Sequence, residues 1–140
     1  MDDGMTPIAA VKVESSAGYA QNIRAGSHQL TSDEPPSNGG TGTGPAPYAL
    51  LLSALGACTA ITLRMYADRK GWALGTIDIG LRLLKAKDGR DRIEREIRVG
   101  ASLSDEQKTK LGEIAGKTPV TKSITAGIPI ATTVVAATSG

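Results

Sequence analysis

The stretch Pro45–Lys70, PAPYALLLSALGACTAITLRMYADRK, decides how the rest of the chain must fold. No charged residue occurs between Pro35 and Leu63, and the stretch becomes polar only near its end. Pro47 suits the first turn of a helix, where a proline sacrifices no hydrogen bond, and Ala and Leu are strong helix formers. The sequence therefore predicts a central helix from about Pro47 to Lys70, roughly 36 Å long and apolar on most of its circumference.

Two simpler interpretations of this stretch stay open. An uncharged run of this length is formally a transmembrane candidate, although Gly, Ser, Thr and two Pro residues dilute its apolarity. Cys58, the single cysteine of the chain, falls near the middle of the predicted helix. A buried cysteine commonly acts as a small hydrophobic residue with an inert thiol. The alternative is a reactive thiol.

The composition excludes several classes of protein. A chain of 140 residues can form one domain with a real core, so we expect a single domain over residues 1–140 with residues 1–7 loose. A net charge of +2, one Trp, three Tyr and no Phe argue against nucleic-acid binding. One cysteine cannot form an internal disulfide, which suits the cytoplasm. The first residues show no signal peptide, and we expect no membrane association.

The first third of the chain predicts a β-meander followed by a loop. Apolar and polar residues alternate over residues 8–15, 19–24 and 28–31, which indicates three short strands. The segment Asp33–Gly44, DEPPSNGGTGTG, has the composition of a loop. It is not a phosphate-binding loop, because no Gly-Lys-Ser/Thr follows the glycines.

The region after the helix predicts a hairpin, two helices and a last strand. Alternation over residues 77–83 and 93–99 indicates two paired strands with charges on the outer face. Ser104 and Gln107 form a capping box for a second helix, and Thr118-Pro119 starts a third that ends at about Thr125. Residues 128–134 alternate as a final strand. The predicted order is βββ-α-ββ-αα-β, an α+β fold.

Three local stretches, together with this order of elements, carry a resemblance. They are Ala25–Pro35, Gly39–Thr59 and the run Thr62–Lys70 with its Thr-Leu-Arg-Met-Tyr-Ala sequence. In combination they resemble the OsmC/Ohr family, named for osmotically inducible protein C and organic hydroperoxide resistance. The resemblance implies an intertwined homodimer with two long helices at its centre, which would cover a helix that is apolar on all sides.

The resemblance also implies a chemistry for Cys58. In two-cysteine members a thiolate on the central helix attacks a peroxide, and a second cysteine then closes a disulfide. Cys58 takes the first position, but the second falls on Thr118, within Thr118-Pro119-Val120-Thr121. The resemblance also implies an arginine in the first hairpin and a glutamate after the proline that starts the central helix, both used by peroxidase members. Both positions differ here, because the hairpin turn offers Gly18-Tyr19 and Tyr48 follows Pro47.

Replacements for the missing groups are available in the sequence. A thiolate needs a nearby cation, and Arg24, from the same or a partner chain, is a better candidate than Arg64. Glu34 is a candidate for the carboxylate. His28, Tyr48 and Thr118 are candidates for contact with substrate. A strand-surface arginine, a loop glutamate and a structural histidine are the simpler roles for Arg24, Glu34 and His28.

These observations predict a cytoplasmic homodimer that reduces organic hydroperoxides or other small electrophiles at Cys58. An external thiol would then have to regenerate the cysteine, since no second sulfur is present. We expect no cofactor, and one His with one Cys does not make a metal site. The alternative function is a non-catalytic binder of a small hydrophobic ligand.

Overall fold

Three strands, a long helix, two strands and two shorter helices follow one another in the computed structural model, which describes residues 4–137. The elements are β1 (Lys12–Glu14), β2 (Gln21–Ala25), β3 (His28–Ser32), α1 (Pro47–Lys70), β4 (Ile77–Leu84), β5 (Arg92–Val99), α2 (Asp105–Ala115) and α3 (Pro119–Ala126). The predicted α+β class is confirmed, and so is the predicted order of elements up to the last helix. Of the N-terminal segment expected to be loose, residues 4–7 form no helix or strand, and residues 1–3 lie outside the described residues.

The chain divides into two compact units. Unit 1 comprises the described part of Met1–Ala54 together with Leu81–Glu94, and unit 2 comprises Leu55–Gly80 with the described part of Arg95–Gly140. The prediction of a single domain stays a prediction.

Unit 1 contains the antiparallel sheet β1-β2-β3. Its register aligns Val13, Ile23 and Leu30 on one face, since Val13 pairs with Ile23 and Ile23 pairs with Leu30. Arg24 lies on the opposite face, because side chains alternate along a strand. Val13 and Leu30 are exposed within one chain, so this apolar face of the sheet has no complete cover.

Unit 2 contains the main hydrophobic cluster. Leu63 and Ala67 of α1 pack there with Leu74 and with Leu111 of α2. Helix α2 begins as predicted: the Ser104 hydroxyl accepts from the Gln107 N–H, and the Gln107 side chain accepts from the Ser104 N–H. These contacts fix the N-terminal end of α2.

Helix α1 has the predicted bounds, but one chain buries only a narrow stripe of it. The buried positions recur every fourth residue: Leu55, Thr59, Leu63 and Ala67. On the rest of the helix, large apolar side chains are exposed, namely Leu51, Ile61 and Met65. The helix is also long and apolar enough to cross a membrane, by length and composition alone. Burial on nearly all sides, the expectation from its composition, is not achieved within one chain.

The last strand predicted from the sequence is wrong for this chain. Residues 127–137 form no helix or strand, and Ile130 is 87% exposed. Alternation marks a segment that is able to form a strand, but a strand also needs a neighbouring backbone to accept its hydrogen bonds. No described strand pairs with this segment, and Pro129 lacks one of the donors that pairing would use.

Candidate functional site

Cys58 is half-buried and lies on the part of α1 that belongs to unit 2. Successive helical residues project about 100° apart, and the next side chain, Thr59, is fully buried. The Thr59 hydroxyl donates to the Leu55 carbonyl at 2.7 Å, one turn back along the helix. Cys58 therefore sits at the border between the buried stripe of α1 and its open surface.

Arg95 contacts the residue next to Cys58. Its Nη1 donates to the hydroxyl of Thr59 at 2.9 Å and to the hydroxyl of Thr121 at 3.0 Å. Its Nη2 donates to the Ala115 carbonyl at 3.1 Å. One guanidinium thus holds together α1, the last residue of α2 and the first turns of α3, and all of these groups belong to unit 2.

All protein partners of the Arg95 guanidinium are uncharged. Within residues 4–137 it takes part in no salt bridge. The carbonyl of Ala115 lies at the C-terminal end of α2, where the helix dipole presents partial negative charge. This carbonyl and the two hydroxyls compensate for the partial desolvation of the guanidinium, but no carboxylate of the described residues forms a salt bridge with it.

Thr118 caps α3, as the sequence predicts, and is fully buried. Its Oγ1 lies 2.6 Å from the hydroxyl oxygen of Thr121, which in turn donates to the Ala115 carbonyl. Thr118 and Thr121 therefore bond each other and join the Arg95 cluster. A substrate contact for Thr118 stays a prediction.

Two further candidates, Arg24 and His28, lie on neighbouring strands of unit 1. His28 pairs with Ala25 in the ladder between β2 and β3, one step from the pair of Arg24 with Gln29. Both side chains are exposed. Arg24 lines a depression of about 410 Å³ on the surface of the sheet.

Tyr48 lies in the first turn of α1 and is exposed. The Nζ atom of Lys85 lies 5.4 Å from the centre of its ring and 2.7 Å from the Asp91 carboxylate. Hydrogen bonding to Asp91, and secondarily to Tyr48, raises the pKa of Lys85. Tyr48 therefore has a cationic neighbour within unit 1, although the sequence suggested none.

Glu34 has a partner within its own loop, since its Oε2 accepts from the Asn38 side chain at 3.3 Å. The preceding residue, Asp33, is the centre of this loop and is only 2% exposed. Its Oδ2 accepts from the N–H and the hydroxyl of both Thr41 and Thr43, and its Oδ1 accepts from the Glu34 N–H. Bonds from Thr41 and Thr43, above all from their hydroxyls, hold the pKa of Asp33 far below its usual range.

The predicted site residues fall into two groups. Cys58 and Thr118 belong to unit 2, and the others belong to unit 1: Arg24, His28, Glu34 and Tyr48. Their assembly into one site stays a prediction. No cluster of three or more His, Cys, Asp or Glu able to hold a metal occurs in the described part of the chain.

Sequence reasoning missed the residue that contacts the Cys58 turn most directly. Arg95 shares the odd-numbered positions of β5 with Ile93, Ile97 and Val99, and it therefore interrupts an otherwise apolar face. An arginine in phase with the apolar face of a strand is the signal that could have found it. Asp33 was missed because its donors are two ordinary threonines of the Gly-rich loop.

A comparison with protein families matches residues 40–133 to the model of the OsmC-like protein family. No curated protein sequence shows significant similarity to the chain.

Solved structures resemble the fold over most of the chain. An OsmC-like protein from Mycoplasma pneumoniae has a TM-score of 0.70 and 18% identity, covering 86% of this chain and 89% of that chain. The organic hydroperoxide resistance protein OhrB of Bacillus subtilis has a TM-score of 0.58 and 22% identity, with coverages of 82% and 88%. A Vibrio cholerae protein assigned to organic hydroperoxide resistance has a TM-score of 0.61 and 20% identity, with coverages of 89% and 90%. That structure holds captopril in one of its active sites.

Proposed function

Because this chain belongs to the OsmC-like protein family, we propose that it is a thiol redox protein that reduces organic hydroperoxides or other small electrophiles at Cys58. The observation that carries the proposal is the position of the only cysteine: half-buried on α1, beside a residue that is bonded to a guanidinium. A nearby cation favours the thiolate, which is the nucleophilic form of cysteine.

The reaction proceeds in two steps. The thiolate of Cys58 attacks the terminal oxygen of the hydroperoxide, the O–O bond breaks, and the alkoxide leaves and takes up a proton. Cys58 is then a sulfenic acid. Because Thr118 offers a hydroxyl and no sulfur, two external thiols reduce the sulfenic acid, forming one disulfide and one water and regenerating the cysteine.

The residues of unit 1 complete this proposal. Arg24 supplies a cation and Glu34 a carboxylate to the reacting centre, from the same chain or from a partner chain. His28, Tyr48 and Thr118 contact the substrate. We place the protein in the cytoplasm, where thiol reductants are abundant.

A homodimer is part of the same proposal. The exposed apolar residues on α1 and on the sheet of unit 1 leave a large surface that a second copy would cover. Light scattering at micromolar concentration should give about twice 14.4 kDa. A well-folded monomer of this mass would contradict the intertwined assembly.

Dimedone trapping tests the chemistry. The native protein, treated with cumene hydroperoxide, should carry one dimedone adduct on Cys58, detected by mass spectrometry, whereas Cys58→Ser should carry none. If Cys58 resists the hydroperoxide in the native protein and reacts only after unfolding, the thiol is a packing residue and the redox proposal fails.

A second candidate function is the binding of a small hydrophobic ligand without catalysis. The captopril molecule in an active site of the Vibrio cholerae relative supports it, because that fold accommodates a small molecule there. Native mass spectrometry distinguishes the two functions. A co-purifying ligand together with an unreactive Cys58 favours the binder.

A further inference from the structure

The proposed function uses Arg95 only as a cation near Cys58 and gives no role to its three hydrogen bonds. Its guanidinium donates to the Ala115 carbonyl, 20 residues away along the chain, and to the hydroxyls of Thr121 and Thr59, 26 and 36 residues away. An arginine needed only for surface solubility would not be in phase with the apolar face of β5, where partial burial costs solvation free energy. The cluster therefore calls for an explanation.

We propose that Arg95 is the positioning residue of the Cys58 site: through Thr59 it fixes the turn of α1 that carries Cys58, and its unneutralised charge acts on anions that form there. This inference rests on the proposed function, since it names a further group that serves the same thiol. It does not require Arg24 or any other residue of unit 1.

The distance is short enough for the charge to be felt. Arg95 Nη1 lies 2.9 Å from the Thr59 hydroxyl, and consecutive Cα atoms are about 3.8 Å apart, so the guanidinium lies within roughly 10 Å of the Cα of Cys58. This distance is comparable to the Debye length in solution, about 8–10 Å, and salt screens charges less when protein partly buries the space between them. A thiolate, a sulfenate or an anionic reagent at Cys58 therefore experiences an attractive potential.

The geometry of the cluster also makes Arg95 hard to replace. A guanidinium presents its donors in a planar fork, and here one fork reaches an α1 hydroxyl, an α3 hydroxyl and an α2 carbonyl at once. A lysine keeps the charge but cannot span all three acceptors. Charge and positioning can therefore be separated by mutation.

Charged and neutral alkylating reagents test the charge directly. Both iodoacetate and iodoacetamide require the thiolate of Cys58, so the ratio of their rates cancels changes in thiolate content and reports the local potential. Arg95→Met should lower the iodoacetate-to-iodoacetamide rate ratio at least about threefold. Arg98→Met is the matched control, because Arg98 is on the same strand but exposed and paired with Glu96 at 2.7 Å. The control should change the ratio by less than about 1.5-fold.

A second pair of variants tests positioning, and it keeps the proposal falsifiable should Arg95→Met fail to fold. Thr59→Val removes the hydroxyl that accepts from Arg95 and keeps the shape, whereas Thr59→Ser keeps the hydroxyl and removes a methyl group. The proposal expects Thr59→Val to slow the alkylation of Cys58 by iodoacetamide at least about threefold and Thr59→Ser to stay within about twofold. A role in packing alone predicts the reverse order, because the serine leaves a cavity.

The outcomes separate this inference from the proposed function. An unchanged reagent ratio in folded Arg95→Met, the reverse order for the Thr59 pair, or a native Cys58 that neither reagent alkylates each overturns the role of Arg95. If the ratio falls as expected but no sulfenic acid forms with hydroperoxide, Arg95 keeps its role and the hydroperoxide chemistry is wrong.

Discussion

Asp33 in unit 1 and Arg95 in unit 2 both hold a charge with neutral partners, and they do so in opposite ways. Every described hydrogen-bond partner of the Asp33 carboxylate lies within ten residues of it along the chain, whereas the nearest partner of the Arg95 guanidinium is 20 residues away. Asp33 is 2% exposed and surrounded by donors, while Arg95 is only half-buried.

The Asp33 charge is structural, whereas the Arg95 charge is available for chemistry. Five hydrogen bonds saturate the Asp33 carboxylate and tie a Gly-rich loop to itself. The loop needs its glycines, because a Cβ atom at Gly40 or Gly44 would overlap the backbone of Glu34 or Thr31. The Arg95 guanidinium has five N–H donors, and its three hydrogen bonds leave some of these donors unused. Because the three acceptors are uncharged, these bonds do not neutralise its positive charge.

The largest expected effect comes from Asp33→Asn. The amide nitrogen donates where an oxygen accepted, so buried hydroxyl and N–H groups lose their acceptor, and we expect the melting temperature to fall by roughly 5–10 °C. Asp88→Asn is the control, because the side chain of this turn residue is exposed and, within residues 4–137, it bonds only to Arg90. The melting temperature of the Asp88→Asn variant should differ from that of the native protein by less than about 2 °C. Equal effects of the two variants would show that the loop does not depend on the buried carboxylate.

The same substitution, Asp33→Asn, also tests how the stability of the protein depends on pH. Because the pKa of Asp33 is lowered on folding, its contribution to stability is complete above its unfolded value of about 4 and is lost as the pH falls through the lower folded value. Thermal melts between pH 6 and pH 2 should therefore show a stability loss below about pH 4 that is smaller in Asp33→Asn. Parallel curves for the two proteins would contradict this assignment.

Arg24→Ala tests whether unit 1 takes part in the chemistry at all. If Arg24 supplies a cation to Cys58, oxidation by organic hydroperoxide should slow at least about tenfold, equivalent to about 1.4 kcal/mol in the barrier. Stopped-flow measurement of the loss of free thiol gives the rate. Lys12→Ala on the adjacent strand, which pairs with Arg24 in the sheet, controls for a general change of surface charge. An unchanged rate would leave Arg95 as the stronger candidate for the cation.

Thr121→Val weakens the Arg95 cluster without removing its charge. The valine cannot accept from Arg95 or bond Thr118, so we expect a loss of about 1 kcal/mol in the free energy of unfolding, measured by urea denaturation. Thr125→Val, an exposed position on the same helix, should cost less than about half of that. A stable Thr121→Val variant would mean that the cluster does not hold α3 in place.

The smallest effect is expected at the exposed ion pairs of the hairpin. Arg82 and Glu94 approach to 2.6 Å, but the Arg82 side chain is 72% exposed. Solvent-exposed pairs contribute little, so Arg82→Ala should shift the melting temperature by less than about 2 °C at moderate salt. A larger fall in melting temperature that high salt abolishes would show that exposed ion pairs, and not only the charges of Asp33 and Arg95, stabilise this protein.

Elements with local sequence signals were predicted correctly from the sequence alone. Proline at the start and an Ala/Leu-rich run gave the bounds of α1, the Ser104–Gln107 capping box gave the start of α2, and Thr118-Pro119 gave that of α3. Alternation gave the four longer strands. The motifs around Cys58 also pointed to the family that the comparison then found.

Contacts between side chains far apart in the sequence could not be predicted without the folded structure. The bonds of Arg95 to Thr59, Ala115 and Thr121 join residues whose spacing has no period, so no local pattern encodes them. The predicted last strand failed for the same physical reason. Alternation records which residues could form a strand, but pairing requires a partner backbone, and that depends on where the rest of the chain lies.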